Sequence, residues 1–141
     1  MSDQEKFEAF KENVVKENEE KYGAEVREKY GDGEADAFNR KILNMTEAEW
    51  KAFQDLETKI RDSLKNAVLT GIRPESGEAK KIVGLHKEWL CKTWKQYTAE
   101  AHRGVAMLYV TDERFKGYYD KEVEGCAAFL EQAVRCWAGK D

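Results

Sequence analysis

Large apolar residues recur at helical spacing through the middle of the chain. Between positions 50 and 68 they follow one another at intervals of three and four residues, at Trp50, Phe53, Leu56, Ile60, Leu64 and Val68. This spacing places all of them on one face of a helix. The preceding sequence TEAE at 46–49 matches a capping box, in which a Thr and a Glu each bond to the other's backbone amide. The pattern predicts a long amphipathic helix that begins after Thr46 and ends at Gly71 and Pro74.

Four further helices are predicted in the remainder of the chain. Ser76 is a favourable first residue for a helix that runs to about Lys95, and Thr98 for the next one. The sequence TDE at 111–113 begins a short helix, and a bend at 120–125 separates it from the last. Alternation typical of β-strands is not found, so the predicted fold class is all-α.

The N-terminal third differs from the rest in its apolar content. Residues 2–45 carry few large apolar side chains among many charges, and they contain three of the ten glycines. We predict short helical pieces there, with a first helix over 2–22, a turn at 31–36 and another helix over 37–45. Such segments have little surface to bury, so this region is expected to be mobile.

Charge and composition restrict the cellular setting. The net charge is −4, and the 24 basic residues are interleaved with 28 acidic ones, so the chain by itself is not expected to bind nucleic acid directly. A run of about 18 apolar residues and a secretory signal are both missing, which indicates no membrane partner. The three cysteines are Cys91, Cys126 and Cys136. Without a C-x-x-C pair they are typical of reduced thiols in a cytoplasmic protein.

The sequence contains no recognisable catalytic arrangement, metal site or cofactor motif. His86 and His102 are the only histidines, and each lies in an apolar helical stripe. Neither has a second His or Cys three or four residues further on, as a zinc site would need. Each histidine is either a hydrogen-bonded core residue or a ligand-binding one, and spacing alone leaves both interpretations open. We therefore expect a protein that is not an enzyme.

Aromatic side chains are concentrated in the C-terminal half. Of the 16 Phe, Trp and Tyr residues, nine follow His86. Rings with a polar tip are suited to line a cleft for a flat heteroaromatic ligand. They can equally form a ring-rich core, and the pattern leaves both possibilities open.

Three stretches of the sequence resemble one known family. HRGVAMLYVTDERFKGYYDK at 102–121 is similar to the central motif of the TipA-type antibiotic-recognition domain (TipAS) of MerR-family multidrug regulators, which also occurs free-standing. YGDGEADAFNRKILNMTEAEWKAF at 30–53 and AAFLEQAV at 127–134 are similar to its flanking helices. The resemblance covers roughly residues 22–138.

The resemblance implies a fold, a ligand class and a set of site residues. It implies a single compact, globin-like domain over 1–141, with a helical core at 46–138 whose cleft binds thiopeptides and other rigid, ring-rich antibiotics. Residues 1–45 would form a mobile lid, in which Tyr22, Tyr30 and Phe38 fold onto the ligand. Four candidate ligand-binding residues match the family motif, namely His102, Tyr109, Phe115 and Tyr119. The other candidates are Phe53, His86, Trp89, Trp94, Tyr97 and Met107.

Two departures from the family pattern shape the functional expectation. Some members carry a Cys just before the motif that can add to a dehydroalanine of the ligand, whereas this chain has Tyr97 there, so reversible binding is expected. The helix-turn-helix part of the regulators is not in this sequence, so we expect no promoter recognition by this chain. The competing interpretations are a haem or tetrapyrrole carrier with His86 or His102 as axial ligand, and a protein-interaction module.

Overall fold

The computed structural model describes residues 2–140, and helices account for most of them. The prediction of an all-α fold is confirmed, because the described residues contain no β-strand. A single π-helical turn, Glu19–Gly23, lies between the first two α-helices. The α-helices are α1 (Asp3–Asn18), α2 (Ala24–Tyr30), α3 (Asp32–Leu43), α4 (Glu47–Thr70), α5 (Gly77–Cys91), α6 (Ala99–Thr111), α7 (Glu113–Asp120) and α8 (Cys126–Trp137).

The predicted helix starts are confirmed by their side-chain caps. The Thr46 amide donates to Glu49 Oε1 at 3.0 Å, and the Glu49 amide donates to Thr46 Oγ1 at 3.1 Å, which forms the predicted capping box of α4. Ser76, Thr98 and Asp112 each accept a hydrogen bond from a first-turn amide of α5, α6 and α7, respectively. These caps act within three residues of sequence, which is why the sequence alone locates them.

Two predicted boundaries are wrong. The stretch 31–36, predicted as a turn, is the start of α3, and only Gly31, with a φ of 90°, stands outside the helix. The acidic residues Asp32 and Glu34 lie in the first turn of α3, where the helix dipole favours negative charge. The helix α5 ends at Cys91 and does not continue to Lys95.

The described chain divides into two structural units. The first unit comprises residues 2–54 together with 91–95, and the second comprises 55–90 together with 96–140. Within α4 the change from the first unit to the second falls between Gln54 and Asp55. No described helix is long and apolar enough to cross a membrane.

A buried lysine stabilises the first unit. Lys11 has only 1 % of its surface exposed, and its ammonium donates to the carbonyls of Leu43 at 2.6 Å and Met45 at 2.7 Å. Glu8 pairs with the same ammonium at 3.1 Å. The last carbonyls of a helix lack partners within it and carry partial negative charge. Lys11 therefore binds the C-terminal end of α3 from α1.

A polar cluster around Arg27 links the short helices of the first unit. Its guanidinium contacts Glu19 at 2.6 Å, Asp36 at 2.8 Å and Asp32 at 3.1 Å. The Asn39 amide also donates to Glu19, at 2.7 Å. These contacts join the π-helical turn, α2 and α3, where the sequence offers few apolar residues.

The second unit holds the main apolar core. Small residues are prominent among its buried side chains, and they allow helices to approach closely. The buried members are Ile60, Leu64, Ala67, Ala79, Ile82, Val83, Ala106, Tyr109, Cys126, Ala127, Phe129, Leu130, Ala133, Val134 and Ala138.

Candidate functional site

Two buried histidines from adjacent helices of the second unit meet inside it. His86 on α5 and His102 on α6 each have 0 % of their surface exposed. His86 Nδ1 lies 2.8 Å from His102 Nε2, and the two rings stack with centroids 4.9 Å apart. The two histidines are 16 positions apart in the sequence and the loop between the helices lies between them, so only the tertiary placement of α5 and α6 brings the two rings together.

Tyrosine hydroxyls extend the contact on both sides of the histidine pair. Tyr97 OH lies 2.6 Å from His102 Nδ1, and Tyr109 OH lies 3.2 Å from His86 Nε2. We call the connected residues Tyr97, His102, His86 and Tyr109 the His–Tyr chain.

Burial keeps both imidazoles neutral at physiological pH. Loss of solvent, together with the neighbouring His102, lowers the pKa of His86 to about 3. Burial, followed by the charges of Lys87 and Arg103, lowers the pKa of His102 to about 4. Burial likewise raises the pKa of Tyr109 to about 12. The His–Tyr chain is thus a network of neutral groups.

This geometry favours one of the two interpretations of the histidines. All four ring nitrogens of His86 and His102 have hydrogen-bond partners, so both are hydrogen-bonded core residues. An iron atom could bind either ring only by replacing one of these buried bonds, which counts against a haem carrier. Residues 2–140 contain no group of three or more His, Cys, Asp or Glu side chains arranged to hold a metal ion.

Further rings pack against the His–Tyr chain within the second unit. Trp89 stacks on His86 at a centroid distance of 5.9 Å. Phe115 and Tyr119 lie 5.9 Å and 4.6 Å from Tyr109. Trp89, Phe115 and Tyr119 are only partly buried. We call these three rings together with the His–Tyr chain the ring cluster, and the three rings form its outer edge. The structure brings together seven of the ten predicted ligand-binding residues.

The other predicted site residues lie elsewhere. Phe53 is buried and Trp94 partly buried, and both belong to the first unit, as do the predicted lid residues Tyr22, Tyr30 and Phe38. Tyr30 is 48 % exposed. Met107 is also 48 % exposed, and its position on α6 is about 200° around the helix axis from Tyr109. Met107 therefore does not face the His–Tyr chain.

Sequence reasoning missed one residue near this cluster. Glu57 on α4 is partly buried, and burial raises the pKa of its carboxyl group although Arg61 acts in the opposite direction. The charge of Glu57 also contributes to the raised pKa of Tyr109 and of Tyr119. The available signal was its position three residues before the core residue Ile60, at the margin of the apolar face of α4.

A surface depression adjoins Tyr119, whose ring packs against Tyr109 of the His–Tyr chain. Both apolar and charged side chains surround it, so it offers ring contact as well as polar contact. The lining residues are Arg61, Leu64, Lys65, Tyr118, Tyr119, Lys121 and Glu122.

Comparison with known proteins identifies the type of domain. Aromatic side chains accompanied by a few polar groups are a common lining of small-molecule binding sites in proteins. The family model described as the TipAS antibiotic-recognition domain matches residues 22–137, and the chain belongs to this family. The resemblance noted in the sequence is thereby confirmed.

Relatives of known function support this assignment. The chain is 27 % identical over 124 residues to the HTH-type transcriptional activator mta of Bacillus subtilis, covering 85 % of this chain and 46 % of that protein. It is 25 % identical over 135 residues to the HTH-type transcriptional activator TipA of Streptomyces coelicolor, covering 95 % of this chain and 52 % of that one. The chain thus spans about half the length of these relatives.

A solved structure shows the same fold. TipAS from Streptomyces lividans, determined in complex with nosiheptide as part of a thiopeptide antibiotic multidrug resistance system, superimposes with a TM-score of 0.72 at 24 % identity. The match covers 84 % of this chain and 83 % of the TipAS chain.

Proposed function

We propose that this chain binds rigid, ring-rich antibiotics of the thiopeptide class and does not alter them chemically. The family match over residues 22–137 carries this proposal, and the fold shared with nosiheptide-bound TipAS supports it. Binding would serve either as the sensing step of a transcriptional regulator in the cytoplasm or as sequestration by a free-standing protein.

The outer rings of the ring cluster are the proposed contacts for the ligand. Trp89, Phe115 and Tyr119 are partly buried, so each still has surface that a ligand can cover. The buried histidines and Tyr109 hold these rings in position through the contacts described above. Aromatic side chains fixed in this way contribute strongly to binding, because little conformational freedom remains to be lost. The assignment of Phe53, Trp94 and Met107 as ligand-binding residues stays a prediction.

Titration of the purified protein with nosiheptide tests the proposal directly. Calorimetry should show saturable binding at one site per chain, and tryptophan fluorescence should change because Trp89 belongs to the cluster. Hemin serves as the comparison ligand, and a Soret band from protein-bound hemin would favour the carrier interpretation. Absence of saturable binding to nosiheptide and to other thiopeptides would refute the proposed function.

The complex is expected to be reversible. Of the three thiols, Cys126 is buried and Cys136 is partly buried. Cys91 is exposed and is the last residue of α5, two positions after Trp89. Tyr97 stands where some family members carry a reactive thiol. Intact-mass spectrometry after incubation with nosiheptide and denaturation should show the unmodified mass of the chain. A stable adduct that disappears in a Cys91→Ser variant would show the expectation to be wrong.

Ligand binding is expected to increase the order of residues 2–45. Polar contacts around Arg27 and Lys11 provide much of what holds this region, and its apolar content is low. Ordering backbone costs roughly 1–2 kcal/mol per residue, and apolar ligand surface would offset part of that cost. Hydrogen exchange should therefore slow across residues 2–45 when nosiheptide is added, with a negative heat-capacity change on binding. Equal exchange rates in both states would contradict the proposed lid.

A further inference from the structure

The depression beside Tyr119 carries excess positive charge, although the net charge of the protein is −4. Three of its lining side chains are cationic, namely Arg61, Lys65 and Lys121, and one is a carboxylate, Glu122. Charge of one sign gathered at a concave surface attracts ligand groups of the opposite sign. A local excess of positive charge in an acidic chain therefore indicates an anionic ligand group at this place.

Within the described part of the chain, carboxylates neutralise one of these cations and leave the other two unpaired. Lys65 Nζ lies 2.5 Å from Glu122 Oε2 and 3.3 Å from Asp62 Oδ1. Across residues 2–140, no carboxylate lies within ion-pair distance of Arg61 or of Lys121. The Arg61 guanidinium and the Lys121 ammonium therefore keep hydrogen-bond donors that a ligand can use.

The Arg61 guanidinium is held in place by an aromatic ring. Its Cζ lies 5.2 Å from the centre of the Tyr118 ring, which is a cation–π contact. Tyr118 in turn meets Tyr119 edge to face, with ring centroids 5.1 Å apart. A guanidinium in such a contact still has its planar fork of N–H donors, and that fork matches the two oxygens of a carboxylate. Arg61 is thus a positioned carboxylate-binding group beside two tyrosine rings.

We propose that this depression binds the carboxylate of an aromatic acid. Arg61 pairs with the carboxylate, and Lys121 adds a second positive charge. Tyr118, which is 38 % exposed, and the partly buried Tyr119 provide surface for the attached ring. Because Tyr119 packs against Tyr109 at 4.6 Å, the site continues from the outer edge of the ring cluster. The inference goes beyond the proposed function, since it assigns an acidic group to a ligand otherwise described only by its rings.

Titration of the full chain with naphthoate, followed by NMR, tests the proposal, and naphthamide is the neutral probe of the same shape. In protein with carbon-labelled tyrosine rings, naphthoate should shift the signals of Tyr118 and Tyr119 in a saturable way. Naphthoate should bind at least about fivefold more tightly than naphthamide, because only the acid can form an ion pair with Arg61. This comparison uses the wild-type protein and does not depend on the folding of any variant.

Arg61→Gln should remove the preference for the acid, so that naphthoate binds this variant about fivefold more weakly than it binds the wild type. Arg73→Gln is the matched control. The Arg73 side chain is 81 % exposed and pairs with Glu75 at 2.7 Å, so its replacement should leave the affinity for naphthoate within about twofold of the wild type. Circular dichroism and urea denaturation confirm that both variants are folded.

Three results would each overturn the proposal: equal affinity for the acid and the amide, undiminished binding of naphthoate to Arg61→Gln, or unshifted signals of Tyr118 and Tyr119. Inorganic phosphate is titrated as an anion without a ring, and tighter binding of phosphate than of naphthoate would also contradict recognition of an aromatic acid. Failure of the wild type to bind nosiheptide would count against the proposed function alone, because the naphthoate result is obtained without it.

Discussion

Lowering the pH from 7 to 5 is expected to reduce the free energy of unfolding by up to about 4 kcal/mol. An unfolded histidine has a pKa near 6.5, whereas burial lowers the pKa of His86 to about 3 and of His102 to about 4. Well above pH 6.5 both histidines are neutral in the folded chain and in the unfolded chain. Below it the unfolded chain binds protons that the folded chain does not, so stability falls with pH until the folded values are reached. Each histidine contributes up to about 1.4 kcal/mol per pH unit.

This pH window separates the histidines from the carboxylates. Ion pairs and hydrogen bonds lower the pKa of Glu19, Glu49, Asp112 and Glu122 below their ordinary values, and the stability that they contribute is lost only at lower pH. Glu57 acts in the opposite direction because its pKa is raised, so its protonation favours the folded state. Since domains are stable by only about 5–15 kcal/mol, the expected loss is a large fraction of the total.

Urea denaturation at pH 7.0, 6.0 and 5.0 measures the effect. The control is the double variant His86→Gln, His102→Gln, whose stability should change little across this window even if it is less stable throughout. Ring NMR signals of the wild type should also stay those of neutral imidazoles at pH 5.5. A wild-type stability that is flat between pH 7 and 5 would contradict the structural assignment of two buried neutral rings.

Truncation of Phe115 is expected to weaken nosiheptide binding by about 2 kcal/mol or more, roughly thirtyfold. Its ring is partly buried and packs against Tyr109 at 5.9 Å, so it is held rigidly with one side available. Rings held in this way and covered by a ligand dominate binding energies in other interfaces. Tyr109 is a poorer choice for the test, because it is only 5 % exposed and its truncation would lower the stability of the folded protein.

Calorimetry of Phe115→Ala at pH 7.5 measures this loss. Stability of the variant is determined in parallel, so that affinity refers to folded protein. Leu69→Ala, which shortens a side chain that is 72 % exposed in the same unit, is the control and should bind as the wild type does. Affinity of Phe115→Ala within twofold of the wild type would show that the ring cluster does not contact the ligand.

Features that depend on neighbours along the chain could be predicted from the amino-acid sequence. Thr46, Ser76, Thr98 and Asp112 were identified as helix starts, because a cap joins a side chain to an amide two or three residues away. The spacing of apolar residues over 50–68 identified α4. The motif at 102–121 indicated the family, since it combines residue types in an order that few other sequences share.

Which polar groups meet depends on how the helices pack in three dimensions. His86 and His102 were equally compatible with a ligand site until the packing of α5 against α6 placed their nitrogens 2.8 Å apart. Lys11 looked like any charged residue of α1, yet it binds carbonyls more than 30 residues away. Glu57 is one of many charged residues in α4, and its partial burial follows from the tertiary fold. Such contacts depend on the relative placement of whole helices, and a pattern with a period of 3.6 residues carries no information about which helix lies opposite.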